Sequence, residues 1–115
     1  MVYPQTSLYG ASKLAGEGLI TAYSFAYGIE SYIFRFVSIL GERYTHGHVV
    51  DFFNKLNNDS SFLEILGDGT QTKSYLHVKD CIRALQKAIE NKNNPNLINI
   101  FNIGTPETIT VTDSA

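Results

Sequence analysis

The sequence has 115 residues, a formal net charge of -2, and 43% hydrophobic against 17% charged residues. This length allows one domain with a modest core, and the composition is typical of a folded chain rather than a disordered one. The small net charge gives no electrostatic case for a nucleic acid or membrane partner. No apolar run is long enough for a membrane span, and no signal peptide is predicted. The single cysteine, Cys81, excludes an internal disulfide and indicates a cytoplasmic protein.

The first predicted element is a helix from about Leu8 to Tyr27. Before it, Pro4 predicts an extended entry. Ser7 is a favourable N-cap, and Gly28 is a favourable C-terminal stop. Small residues allow close approach, so the stripe of small and apolar side chains is predicted to face either a parent sheet or another helix. The stripe consists of Ala11, Leu14, Ala15, Gly18, Leu19 and Ala22.

Two side chains in this helix form a candidate acid/base pair. Tyr9 and Lys13 are four residues apart, a spacing that places them on one helix face, one turn apart. A nearby ammonium favours phenolate over phenol, so the pair is suited to taking a proton from an alcohol. The spacing recurs by chance, however, and the alternative is a partly buried tyrosine beside a surface lysine.

Residues 31–37 are rich in aromatic and β-branched side chains and predict a buried parallel strand. A polar loop follows at residues 44–48, and it contains His46 and His48. No third ligand lies at a useful spacing, so the sequence predicts no metal site there. The loop leads into a predicted helix whose apolar side chains have helical spacing. They are Val50, Phe52, Phe53 and Leu56.

The next stretch predicts a loop at residues 57–61, a short strand at 62–66 and a turn at 67–69. The turn contains two glycines, but the Lys and Ser/Thr of a P-loop do not follow it. Further on, residues 78 to about 91 predict an amphipathic helix. Its apolar side consists of Val78, Cys81, Ile82, Leu85, Ala88 and Ile89.

The final stretch predicts a loop at residues 91–96, a strand at 97–103 and a turn at 104–106. Thr110, with Asp113 three residues later, predicts the N-cap of another helix. A one-turn helix is not stable alone, so we expect the sequence to be a piece of a larger enzyme, cut at both ends.

Four stretches, taken in order, resemble the extended short-chain dehydrogenase/reductase superfamily, in its nucleotide-sugar epimerase/dehydratase branch. They are SLYGASKLAGE at 7–17, RFVSILGER at 35–43, LGDGTQTKSYLHVKD at 66–80 and FNIG at 101–104. The resemblance implies an α/β fold: the C-terminal portion of a Rossmann-like fold plus most of the small substrate-binding subdomain. Residues 1–40 would end the dinucleotide-binding domain. Residues 41–115 would be mainly the substrate subdomain, with returning Rossmann elements.

The resemblance implies NAD, rather than NADP, as the cofactor. Tyr9 would be the catalytic base, and Lys13 would assist it and hold the cofactor ribose. Phe36 and Ile39 would lie beside the nicotinamide, although core packing is the alternative for both. The family's Gly-x-x-Gly-x-x-Gly run is absent from the sequence, and the family's catalytic serine or threonine lies upstream of the tyrosine. We therefore expect the isolated chain to be inactive.

The implied substrate is a nucleoside-diphosphate sugar. Lys73 stands where the family has an arginine that grips the diphosphate; the charge is kept, but the bidentate fork is lost. His48 would donate to phosphate from the first turn of a helix, a place that suits anions. A solvated surface charge is the alternative for Lys73, and a turn contact is the alternative for Asn102. The implied substrate-binding set is Ser38, His48, Val49, Glu64, Leu66, Lys73 and Asn102.

Three substitutions depart from the family pattern. Ser38 replaces an asparagine and keeps a hydrogen-bonding group on a shorter side chain, Glu42 replaces a proline, and Ser74 replaces an aspartate. The implied reaction is transient oxidation of a sugar hydroxyl followed by re-reduction, which gives epimerisation. Dehydration, decarboxylation, reduction and a non-catalytic fragment stay open as alternatives. A homodimer through the Tyr9/Lys13 helix is the implied assembly.

Overall fold

The computed structural model describes residues 6–91 and 96–115. The predicted entry at Pro4 and most of the predicted loop at 91–96 lie outside the described residues. The elements in chain order are α1 (Leu8–Tyr27), β1 (Ser31–Phe36), β2 (Ser38–Leu40), α2 (His48–Asn58), β3 (Thr72–Lys73), β4 (Tyr75–His77), α3 (Val78–Glu90), β5 (Ile98–Ile103) and β6 (Ile109–Thr110).

The chain divides into two compact units. One unit lies within Met1–Arg35 and Ala88–Asn102, and the other within Phe36–Lys87 and Ile103–Ala115. Whether these units correspond to the end of a dinucleotide-binding domain and a substrate subdomain stays a prediction. Among the described residues, no helix has both the length and the apolar character needed to cross a bilayer.

Helix α1 has the bounds that the sequence predicts, because both of its ends are capped. The Ser7 hydroxyl accepts a hydrogen bond from the Gly10 N–H at 3.0 Å. Gly28 has φ 67°, and its N–H donates to the Ser24 carbonyl. Ser24 is buried and its hydroxyl contacts that of Ser31, which attaches the last turn of the helix to the start of β1.

A second attachment between α1 and β1 is ionic. The Arg35 guanidinium donates to both carboxylate oxygens of Glu17, at 2.8 and 2.6 Å. This bidentate hydrogen bonding lowers the pKa of Glu17. Arg35 is half exposed and Glu17 is partly buried, so we expect the pair to fix geometry more than it adds stability.

Strands β1 and β5 pair in a two-stranded sheet. The predicted strand at 31–37 is confirmed apart from its last residue, but its predicted burial is wrong. Only Ile33 is buried, and Phe36 is 51% exposed. The other side chains of β1 are half-buried or exposed. The rings of Tyr32, Phe34 and Phe101 stack together.

Two further pairs of short strands belong to the second unit. Strand β2 runs parallel to β4, with Ser38 opposite Tyr75 and Leu40 opposite His77. Strand β3 is antiparallel to β6, with Lys73 opposite Ile109. Between β3 and β4, Ser74 accepts from the Ser38 N–H with its carbonyl, at 3.2 Å. The sequence did not predict any of these four strands.

Two predictions in the middle of the chain are wrong. Residues 62–66 form no strand, since among the described residues no neighbouring strand pairs with them. Helix α2 extends through Asn58, so the first two residues of the predicted loop at 57–61 are helical. The predicted turn at 67–69 is confirmed: both glycines have positive φ, and Asp68 accepts from the Thr70 N–H at 3.0 Å.

The last two predictions concern α3 and the chain after β6. Helix α3 agrees with its prediction and buries Cys81, a free thiol. The predicted cap at Thr110 is present, because its hydroxyl accepts from the Asp113 N–H at 2.9 Å. Residues 111–114 form a turn rather than the predicted helix.

Candidate active site and anion-binding cluster

Tyr9 and Lys13 lie near the start of α1 with their side chains on the same side of the helix. The Lys13 ammonium is 5.3 Å from the centroid of the Tyr9 ring, within cation–π range. The Tyr9 side chain is not sealed in a core, since the residue is 73% exposed. The predicted shared face is therefore confirmed, and the phenol is accessible to a substrate. The catalytic role itself stays a prediction.

A second group of polar side chains, which we call the histidine cluster, consists of His48, Lys73, Tyr75 and Ser114. The Lys73 ammonium is 3.4 Å from His48 Nδ1. The Tyr75 hydroxyl lies 2.8 Å from Nδ1 and 3.0 Å from Nε2 of the same ring. The Ser114 hydroxyl is 3.1 Å from His48 Nε2. Two residues predicted to bind phosphate, His48 and Lys73, are thus in direct contact.

The local backbone explains how the cluster forms. His48 is the first residue of α2, where unpaired N–H groups and the helix dipole favour an anion. Lys73 and Tyr75 are two positions apart along an extended segment, so their side chains point to the same face. The turn after β6 carries Ser114, whose N–H donates to the Thr110 carbonyl at 3.1 Å.

The charge of the cluster resides on Lys73. Partial burial and the neighbouring Lys73 ammonium lower the pKa of His48 below its usual value. At neutral pH the imidazole is therefore uncharged and offers one N–H donor. An ammonium beside a neutral imidazole, at the N-terminus of a helix, is an arrangement suited to a phosphate oxygen.

A cleft of about 260 Å³ adjoins the cluster and shares Lys73 and Tyr75 with it. The side chains that line this cleft are Lys73, Tyr75, Thr105, Glu107, Thr108 and Ile109. One wall is held in place by Ser74, whose hydroxyl donates to the Thr105 carbonyl at 3.0 Å. The cleft therefore begins at the Lys73 ammonium.

The other predicted site residues are not all brought to the cluster. Ser38 is the β2 partner of Tyr75, which places it one strand away. Val49 follows His48 and is 39% exposed. Glu64 pairs with Lys55 at 3.8 Å and Leu66 is 72% exposed; the contacts of the described residues join neither to the cluster.

The three remaining predicted residues lie on β1, β2 and β5. Phe36 ends β1, and Ile39 is half-buried in β2, opposite Leu76. Asn102 is exposed near the end of β5. Their predicted roles beside the nicotinamide and the nucleotide stay predictions. Within the described part of the chain, no group of three or more His, Cys, Asp or Glu side chains is arranged to hold a metal ion.

Sequence reasoning missed Tyr75 and Ser114. Tyr75 carried a usable signal, because it is two residues from Lys73 in an extended stretch. Ser114 carried none, because it is 66 positions from His48 and no local pattern connects them.

The comparisons with known proteins agree with this architecture. The model of the NAD dependent epimerase/dehydratase family matches residues 1–104. An uncharacterized UDP-glucose epimerase of Bacillus subtilis is 31% identical over 106 residues, covering 91% of this chain and 33% of that protein. A trifunctional UDP-glucose 4,6-dehydratase, 3,5-epimerase and reductase of Arabidopsis thaliana is 30% identical, covering 96% of this chain and 16% of that protein.

A solved structure is also similar to this chain, in both fold and sequence. The UDP-glucuronic acid 4-epimerase of Bacillus cereus, in complex with UDP-glucuronic acid and NAD, is 32% identical with a TM-score of 0.84. The match covers 98% of this chain and 36% of that one. The chain thus has the α/β fold of part of a Rossmann-like enzyme. It belongs to the NAD-dependent epimerase/dehydratase family, and it spans about a third of the length of the first curated relatives it matches.

Proposed function

We propose that the protein containing this chain is an NAD-dependent nucleotide-sugar epimerase, with Tyr9 as its base. The observation that carries this proposal is the Lys13 ammonium held against the face of an exposed Tyr9 phenol. In this proposal the Tyr9 hydroxyl, on the ring beside the Lys13 ammonium, acts as the base that takes the proton from a sugar hydroxyl. Bound NAD would supply the acceptor, and later the donor, of the hydride at the same carbon. Tyr9 would return its proton to the sugar oxygen when that carbon is reduced from its opposite face, which would complete the epimerisation.

The residues present fit this cofactor. Tyr9 and Lys13 both project from one side of the first turns of α1, where a hydroxyl and an ammonium can bind the diol of a ribose. We propose that Lys13 binds the cofactor ribose in addition to assisting Tyr9. Phe36 and Ile39 are proposed to pack beside the nicotinamide.

We assign the histidine cluster to the diphosphate of the substrate. Lys73 supplies the positive charge and His48 a neutral donor, within 3.4 Å of each other. The relatives named for UDP sugars make a UDP sugar the proposed substrate class. Ser38, one strand from Tyr75, is placed near the same group. Val49, Glu64, Leu66 and Asn102 are proposed to contact the nucleotide.

A dehydratase or reductase activity is the second candidate, since the Arabidopsis relative combines dehydratase, epimerase and reductase functions in its name. Each of these reactions would use the Tyr9 hydroxyl to move a proton at a sugar oxygen, so all of them fit the same site. We further propose a homodimer through the small-residue stripe of α1 and a cytoplasmic location, which the free thiol of Cys81 fits.

The catalytic assignment is tested by Tyr9→Phe in the protein that contains this chain. The substitution removes the hydroxyl and keeps the ring under Lys13, so we expect NAD-supported turnover of a UDP sugar to fall by about 100-fold or more. The matched control is Tyr23→Phe, on the same helix and also exposed. Turnover retained in Tyr9→Phe would show that the base is elsewhere.

The phosphate assignment is tested by Lys73→Ala. Removing the ammonium should raise the Michaelis constant for the UDP sugar about 10-fold or more and leave the affinity for NAD unchanged. Lys79→Ala, which removes an exposed lysine of α3, is the control for net charge. An unchanged Michaelis constant in Lys73→Ala would defeat the phosphate role and leave the Tyr9 assignment untouched.

A further inference from the structure

The contacts of the His48 ring determine which nitrogen carries its proton. Lys73 approaches Nδ1 at 3.4 Å, and an ammonium has hydrogens to donate but no lone pair to accept. A proton on Nδ1 would point at that cation. The neutral imidazole therefore has its lone pair on Nδ1 and its hydrogen on Nε2.

The contacts of Nε2, on the opposite side of the ring, independently indicate the same tautomer. The Ser114 hydroxyl donates to the Val111 carbonyl at 2.7 Å, so its single hydrogen is already used. Its remaining lone pairs face His48 Nε2 at 3.1 Å and accept a hydrogen from it. Tyr75 is compatible with this arrangement, because its hydroxyl lies within hydrogen-bond distance of both ring nitrogens.

We propose that Ser114 is a positioning residue of the anion site, which clamps His48 against Lys73 as the neutral Nε2–H tautomer. This inference rests on the proposed function in one respect only, namely that the anion is the diphosphate. Ser114 aligns the Nε2–H before the ligand arrives. A phosphate oxygen then shares this hydrogen with Ser114, which keeps its own bond to Val111. The cluster thereby offers an anion a neutral N–H donor at Nε2 and the charge of Lys73 beside Nδ1.

The first test needs no substrate. The nitrogen-15 chemical shifts of the His48 ring, measured in the ligand-free protein that contains this chain, should show a protonated Nε2 and an unprotonated Nδ1. In Ser114→Ala the two shifts should move toward each other as the tautomers and ring orientations mix. Ser114→Thr, which restores a hydroxyl, should restore the separation. Unchanged shifts in Ser114→Ala would overturn the proposal.

The second test uses uridine diphosphate as the probe, with binding measured by calorimetry. Ser114→Ala should weaken binding about three- to tenfold, as expected for one hydrogen bond that is no longer pre-aligned. In turnover, the Michaelis constant should rise while kcat stays near that of the parent. Ser61→Ala, whose hydroxyl bonds to Asp59 elsewhere in the chain, is the matched control.

The outcomes separate the two claims. Mixed tautomers in Ser114→Ala with no effect of Lys73→Ala on uridine diphosphate binding would retain the clamp and remove the diphosphate assignment. An effect of Lys73→Ala without any effect of Ser114→Ala on shifts or affinity would retain the diphosphate site and overturn the clamp.

Discussion

His48 is kept uncharged by its surroundings, and this makes stability depend on pH. Burial and the Lys73 ammonium place its folded-state pKa below the unfolded value, which is about 6.5. The unfolded chain therefore binds a proton first as the pH falls. The stabilising contribution is fully present above the unfolded pKa, is lost as the pH falls through the folded pKa, and is absent below it.

We therefore expect the free energy of unfolding to decrease between about pH 7 and the folded pKa of His48. His48→Gln, which retains a hydrogen-bonding side chain but does not titrate, should reduce this slope in urea titrations at a series of pH values. His46→Gln removes the neighbouring exposed histidine and should keep the slope. A slope that survives in His48→Gln would contradict the assignment.

At the residue scale, the sequence predicted what local spacing and motif resemblance encode. Tyr9 and Lys13 are one helical turn apart, so their shared face follows from helix geometry alone. The contact between His48 and Lys73 needed the family resemblance. The contact between Ser114 and His48 was not predictable from the sequence, because it depends on the pairing of β3 with β6 and on the turn that follows.

Helix α2 starts at a position that demands glycine. Gly47 has φ 105°, and an added Cβ would collide with the Tyr44 hydroxyl. Both effects act on the residue immediately before His48. The backbone at this point therefore decides where the first N–H groups of α2 and the His48 ring are presented.

Gly47→Ala should consequently lower the free energy of unfolding by about 1–3 kcal/mol and also weaken binding of uridine diphosphate. Gly16→Ala is the matched control. It lies inside α1 with open space around the added methyl, and we expect it to stabilise the protein by about 0.5–1 kcal/mol. Denaturant unfolding and calorimetry measure the two effects. Equal effects of the two substitutions would contradict the steric argument.

At the scale of elements, the helices were predictable because their ends are encoded locally. Ser7 and Gly28 cap α1 through partners within four residues. The short strands were not predictable. Strand β2 forms by pairing with β4, in which Ser38 lies opposite Tyr75. Neither three-residue stretch contains a local signal that predicts this pairing. Residues 62–66 show the converse, since their strand-like composition has no pairing partner among the described residues.

For the molecule as a whole, the ordered motifs predicted the fold class, but they did not predict which side chains of this chain are buried. Residues 31–37 read as a buried strand because they are almost continuously apolar, yet Phe36 is 51% exposed in this chain. Apolarity shows that a side chain is suited to burial. It does not identify what covers the side chain.

Helix α1 carries several uncovered apolar side chains, and Ser24 is its only buried residue. Its exposed side chains include Leu8 at 92%, Phe25 at 71%, Tyr27 at 70%, Leu19 at 63% and Tyr23 at 60%. Soluble monomers rarely leave so many large apolar side chains of one helix in water. A second protein surface, from a further copy of the chain or from another part of the same protein, would remove this apolar patch from water.

We therefore expect the 115-residue chain, expressed alone, to self-associate in sedimentation velocity and to bind the dye ANS. Leu19→Lys together with Phe25→Lys should reduce both signals, because charges on the patch make its burial costly. Asn57→Lys with Ser60→Lys adds the same charge at exposed polar positions outside α1 and should leave both signals unchanged. A monomer that binds no dye would show that the chain covers this face by itself. In that case Leu19, the residue that this patch shares with the small-residue stripe, would not be available for the dimer contact that we propose.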